Sequence, residues 1–272
     1  MPSRESRFPQ IRRTGTGTGT ALLLFFLSAL PPAALTAKCD VSDCHFMSLA
    51  DCGLETSCAS ATSLIIDNSL FVYGSIPDAF GSLSALTTLS LTRSVLTGSL
   101  PPSLGSLTNL QLLVLEAKFS HSIPIAIGSL AKLTDLSLSD NKLTGTLPPS
   151  LGSLKQAAII HLGDNKLTGP LPKGIGSIAQ LEALAMFGNQ LSGTLSKALG
   201  SLQHLTLLNI YGNEFTGSLP SSLGSLSTAL SLLAESNHFT GTLPPSFTSL
   251  KALSNIYFFD NALTGTLPSS FL

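Results

Sequence analysis

Six asparagines, Asn141, Asn165, Asn189, Asn213, Asn237 and Asn261, follow one another at intervals of 24 residues. Gly145, Gly169, Gly193, Gly217, Gly241 and Gly265 keep the same step. So do Pro148, Pro172, Pro220, Pro244 and Pro268, with Ser196 in the one gap. Self-similarity at a fixed period of this size points to a solenoid, in which each unit buries its apolar side only by stacking on its neighbours. Within one unit, LTDLSLSDNKLTGTLPPSLGSL at 133–154, the leucines fall at spacings of 3, 2, 5, 4, 4 and 3. That is neither a helical period nor a plain strand alternation. A bundle of apolar helices is excluded on the same residues, because the Pro and Gly of every unit would break each helix after a few turns.

Each residue type in the unit has a physical task. In Leu136-Ser137-Leu138 alternation points the leucines inward and their neighbours outward. This predicts a short strand, and stacked copies predict a parallel sheet. The inward Asn has to be bonded, because an unpaired amide inside an apolar coil is costly. Its oxygen and two N–H groups can satisfy main-chain groups of its own coil and the next, so the column of six predicts a ladder. The Leu-Thr-Gly-Thr-Leu-Pro piece supplies a second inward leucine pair around a glycine where the backbone bends or a neighbouring coil comes close. The Pro then fixes φ and gives up a donor, which suits the start of an irregular or short helical return.

The pattern LxxLxLxxNxLxGxLPxxLGxL resembles the plant-type leucine-rich repeat of receptor-like kinase and receptor-like protein ectodomains and of polygalacturonase-inhibitor proteins. The likeness runs from about Ser63 to Leu272. It implies an α/β solenoid: a right-handed superhelix with a parallel sheet on the concave face and a mostly irregular or 3-10 convex side. The fold hosts many binders, so the resemblance speaks to architecture more than to function.

Residues 1–37 read as a signal peptide: Arg4, Arg7, Arg12 and Arg13 precede an apolar run at 21–30 that Pro31-Pro32 interrupts. The run is too short to span a bilayer comfortably. Cys39, Cys44, Cys52 and Cys58 are all the cysteines of the chain. Clustered behind a secretory segment they predict two disulfides in an amino-terminal cap at 38–62, with three pairings open. A zinc site is disfavoured because no paired CxxC knuckle is present. Plant-type caps usually carry a Trp, and this chain has none. About nine repeat units are expected over 63–272. The chain stops in LPSSFL, where the unit at 219–226 continues as LPSSLGSL, so the carboxyl end reads as truncated. Two local irregularities stand out: Ser94 where the ladder wants Asn, and Ala229-Leu230, which suggests a small shift of register.

The outward positions of the inner strands line the concave face. One column runs Thr92, Glu116, Ser139, Gly163, Phe187, Tyr211, Glu235, Phe259, and the next runs Ser90, Val114, Ser137, His161, Ala185, Asn209, Leu233, Tyr257. Aromatic residues are only 6% of the chain, yet Phe187, Tyr211, Tyr257 and Phe259 all fall here. Exposed aromatics anchor recognition surfaces, so the candidate ligand face is Phe187, Tyr211, Tyr257 and Phe259 with His161, Asn209 and Glu235 beside them.

Other function classes find little support. A net charge of −1, with 11% charged residues, offers no basic face for nucleic acid. The five histidines are scattered, and Asp140, Asp164 and Asp260 recur as turn residues rather than as an acid–base pair. No nucleophile motif, phosphate loop or metal-spaced cluster occurs, so no enzyme, cofactor or metal is expected. No Asn-x-Ser/Thr site occurs among the ten asparagines. A Thr/Ser-rich face would suit ice, but the concave strands carry no regular Thr-x-Thr array. The expectation is a secreted or cell-surface, non-enzymatic module that binds a protein, peptide or glycan. The alternatives are the outer part of a membrane receptor, a structural or adhesive wall protein, and an inhibitor of a secreted hydrolase.

Overall fold

The computed structural model describes residues 60–67 and 73–266. The segment 1–37, Cys39, Cys44, Cys52, Cys58 and the last residues of the chain lie outside them. Among the described residues the regular elements are short strands and 3-10 turns.

Nine inner strands, from Ser63–Asp67 to Asn255–Tyr257, form one parallel sheet in strict chain order. Leu184 pairs with Ile160 on one side and Leu208 on the other, so equivalent residues of successive coils stand side by side. The step is 24 residues for most pairs, 25 between Ser63 and Thr88, and 23 between Leu112 and Asp135. The inward leucines of these strands are solvent-free and join one continuous core with Phe80, Phe119, Phe215, Phe239 and Phe247. Ala229 keeps the core position and Leu230 turns to solvent. The 24-residue pairing of Leu208 with Leu232 is unbroken. The expected shift of register is therefore absent, because Ala fills the leucine position without moving the backbone.

After each inner strand the chain turns through a residue in the left-handed region. Asp140, Asp164, Ser236 and Asp260 have φ between 50° and 55°, and Gly188 and Gly212 take the same place at 62° and 63°. Asp tolerates this conformation better than most residues, and Gly adopts it freely. The ladder asparagine follows directly. Asn165 accepts the Leu143 N–H at 2.9 Å through its Oδ1. Its Nδ2 donates to the carbonyls of Leu138, Leu162 and Gly163 at 2.8, 3.2 and 3.1 Å. Asn189, Asn213 and Asn237 repeat this set one coil at a time. At the other end Ser94 stands buried in a ladder position, and its Oγ has no partner among the described residues. A hydroxyl on a single carbon is too short to reach the groups that an amide spans.

A second parallel sheet of seven strands follows the ladder, from Ser120–His121 to Ala262–Leu263, with a separate pair formed by Tyr73–Gly74 and Val95–Leu96. It stands in addition to the 3-10 turns that the resemblance implied. Its register steps by 22 rather than 24: Thr146 pairs with Thr168, and Ser218 with Thr240. Each coil then returns through a five-residue 3-10 turn such as Pro149–Ser153, introduced by an extended Pro or, once, by Ser196. These turns stack closely. A Cβ on Gly152 would lie 2.6 Å from the Gly174 backbone, which explains the glycine of the LGS triplet.

Candidate ligand-binding face

The sheet register brings the predicted site residues onto one side of five neighbouring inner strands. His161 pairs with Ala185, Ala185 with Asn209, Asn209 with Leu233, and Leu233 with Tyr257. Phe187 and Tyr211 stack with ring centroids 5.1 Å apart and planes 5° from parallel. The Phe187 ring lies across Gly163, where a Cβ would come within 2.6 Å of its tip. Tyr257 and Phe259 form a second, tilted pair at 6.2 Å. Phe259 is 64% exposed and Tyr257 36%. Asn209 turns its Oδ1 back to accept the Tyr211 N–H at 3.4 Å.

The face is not uniformly open. Ser137, Ser139, Val114, Ala185 and Ile159 occupy outward positions but are nearly solvent-free. Short side chains are overshadowed by longer neighbours one coil away. His161 lies among them, and its Nε2 is buried without a partner among the described residues, so burial holds its pKa below the usual 6.5. From Phe187 to Phe259 the face presents its aromatic side chains to a ligand; at the amino-terminal end of the same face Ile65 is exposed as well.

Two arrangements were not anticipated from single residues. Ser137 Oγ donates to Glu116 Oε1 at 2.9 Å, and burial still raises the Glu116 pKa above its ordinary value, with Asp140 adding to the effect. Arg93 forms a two-pronged pair with Asp67 at 3.0 and 2.7 Å, and Thr92 donates to the same carboxylate at 2.7 Å. The separation of 26 residues between Arg93 and Asp67, close to one repeat, was the available signal.

The second sheet carries another unanticipated pattern. Its outward residues on either side of the recurring glycine are Thr144 and Thr146, Thr168 and Pro170, Ser192 and Thr194, Thr216 and Ser218, Thr240 and Thr242. The two-residue stagger sets the second hydroxyl of one coil beside the first of the next, as in Thr146–Thr168 and Ser218–Thr240. Ser99 pairs with Ser120 in the same way nearer the amino terminus. The result is a diagonal staircase of hydroxyls, interrupted at Pro170.

This architecture is that of a leucine-rich-repeat solenoid. The Leucine Rich Repeat family model matches residues 132–154 and 204–226. The repeat is of the plant type, and solved structures agree. The plant peptide hormone receptor RGFR1, in complex with RGF2, is similar at 26% identity with a TM-score of 0.72, over 80% of this chain and 39% of the receptor. The LRR ectodomain of the Arabidopsis thaliana receptor kinase GASSHO1/SCHENGEN3, in complex with CASPARIAN STRIP INTEGRITY FACTOR 2, is 30% identical with a TM-score of 0.56, over 79% of this chain and 34% of that one. A plant ice-binding protein is 26% identical with a TM-score of 0.69, over 78% of this chain and 68% of its own. The chain thus spans between a third and two fifths of these two receptor structures. No curated protein sequence matches it.

Proposed function

We propose that this protein is an extracellular, non-enzymatic recognition module that holds a peptide, protein or glycan on its concave face. The observation that carries this reading is the set of Phe187, Tyr211, Tyr257 and Phe259 on the carboxyl-terminal strands of the inner sheet. Ring pairs of this kind give a ligand large, rigid contact area at little entropic cost. Similarity to a plant peptide hormone receptor in complex with RGF2 supports a peptide or protein ligand. The basic and apolar segment at 1–37 supports export. A receptor's outer part fits the same surface, whereas a wall-adhesive protein or a hydrolase inhibitor need not use the aromatics. The test is the triple substitution of Phe187, Tyr211 and Tyr257 by Ala, screened with its parent against peptide and glycan arrays. Loss of the parent's hits with an unchanged melting temperature supports the reading; unchanged hits sink it.

The hydroxyl staircase favours a second reading, in which the second sheet binds ice. A rigid periodic ligand is matched by a rigid periodic face, and each Thr offers both a hydroxyl and a methyl group. The staircase itself carries no aromatic platform for sugars. Similarity to a plant ice-binding protein supports the idea. Thr168→Lys, Thr216→Lys and Thr240→Lys together should abolish inhibition of ice recrystallisation. If the unaltered protein leaves ice growth untouched, this second reading is wrong.

A further inference from the structure

Glu235 occupies an unusual place within the aromatic cluster. In the inner sheet Asn209, Leu233 and Tyr257 stand side by side. Two residues further along, Tyr211, Glu235 and Phe259 hold equivalent places in three successive coils. The Gly212 N–H donates to the Glu235 carbonyl at 3.0 Å, and the Ser236 N–H donates to the Phe259 carbonyl at 3.1 Å, so the alignment continues past the strand ends. The carboxylate therefore has an aromatic residue on either side at roughly the strand spacing of 4.8 Å. Phe187 covers one face of Tyr211 by stacking on it.

The carboxylate lacks what other acids of the inner sheet have. Asp67 holds Arg93 and Thr92, and Glu116 accepts from Ser137. By contrast Glu235 Oε2 is buried from water with no hydrogen-bond partner among the described residues. Burial pushes its pKa up against the pull of its own backbone amide. The inner-strand segments 183–187, 207–211, 231–235 and 255–259 contain no Lys, Arg or His. A half-buried carboxylate with one unpartnered oxygen, no cation on these strands and an aromatic residue in the coil on either side has the two features that select a positive group: charge-assisted hydrogen bonding and attraction to ring faces.

We propose that Glu235, flanked by Tyr211 and Phe259, is the seat for the guanidinium or ammonium of a basic side chain in a bound peptide. This rests on the concave face being the recognition surface and narrows the ligand to a peptide carrying Arg or Lys. A neutral glycan brings no positive charge to the orphaned oxygen. Asp260, exposed beside Phe259, adds attraction of the same sign.

The experiment selects short random peptides on the full chain, on Glu235→Gln, and on the triple Ala variant of Phe187, Tyr211 and Tyr257. All three are first checked for the same melting temperature. Selected peptides should share an Arg or Lys. Replacing that residue by citrulline or norleucine should weaken binding at least about tenfold, and Glu235→Gln should weaken the parent peptide by a similar factor. The inference is overturned, with the recognition face left standing, if the selected peptides lack a basic residue yet are lost in the triple variant. It is overturned equally if basic peptides bind Glu235→Gln as well as the parent. Selection of no peptide at all removes both the inference and a peptide ligand for this face.

Discussion

Asn189 accepts the amide proton of Leu167, 22 residues earlier, at 3.0 Å, and in the same position donates to the carbonyls of Leu162, Met186 and Phe187 at 3.0 to 3.1 Å. One side chain thus bridges two coils. The carbonyls have second donors: Asn165 also reaches Leu162, Asn213 also reaches Met186, and the Asp164 N–H reaches Phe187. Asn189→Ala therefore orphans chiefly the buried Leu167 N–H, which should cost about 1–3 kcal/mol. Asn189→Asp keeps the acceptor but sets a carboxylate against three carbonyl oxygens. Chemical denaturation at neutral pH should find it less stable than the Ala variant. Equal stability would show that the bond retained to the Leu167 N–H offsets the repulsion among the oxygens.

Stacking of the 3-10 turns discriminates between two glycines one coil apart. A methyl on Gly152 meets the Gly174 backbone at 2.6 Å, whereas one on Gly174 has nothing nearer than 3.4 Å, and neither residue needs a left-handed backbone. Gly152→Ala should lose about 1–3 kcal/mol by forcing the coils apart. Gly174→Ala should gain about 0.4–1 kcal/mol by restricting the unfolded chain. Thermal melts of the two variants should move in opposite directions.

The 24-residue step was enough to place the inner sheet, the ladder and the return turn, because leucine, asparagine and proline each answer one local demand that recurs unchanged. It was not enough for the second sheet. There the pairing step is 22, so Thr146 meets Thr168 rather than Pro170, which holds the equivalent place in the next repeat. A constant period in sequence says nothing of how far one coil slides along its neighbour. The aromatic column was visible as positions, but the stacking of Phe187 on Tyr211 and the isolation of Glu235 were not. Those depend on which side chain shades which across coils, as the burial of Ser137 and Ala185 also shows.

Glu116 makes stability depend on pH. Burial raises its folded pKa above the ordinary 4.5 despite the bond from Ser137. A carboxyl whose pKa rises on folding binds its proton more tightly in the native state. Its favourable contribution is complete below pH 4.5 and fades as pH climbs through the higher folded value. Glu116→Gln keeps an acceptor for the Ser137 hydroxyl without the buried charge. The variant should match the parent at low pH and become progressively more stable than it toward neutrality. A stability difference that stays constant across this range would mean that the carboxylate is solvated after all.

Gly163 sets the position of the Phe187 ring, since any Cβ there would strike the ring edge at 2.6 Å. The obstacle is the tip of a side chain rather than backbone, so Gly163→Ala should swing the ring away and leave the coil intact. Its stacking on Tyr211 would then be lost, and pairs of this geometry contribute about 0.5–1.5 kcal/mol. The chain has three tyrosines and no tryptophan, so near-ultraviolet circular dichroism reads tyrosine packing directly. Gly163→Ala should diminish the tyrosine band and weaken whatever ligand the concave face holds, with a loss of stability no larger than that of Phe187→Ala. Were the band and the binding both unaltered, Phe187 would have no part in ordering Tyr211, and the aromatic column would be a row of independent side chains.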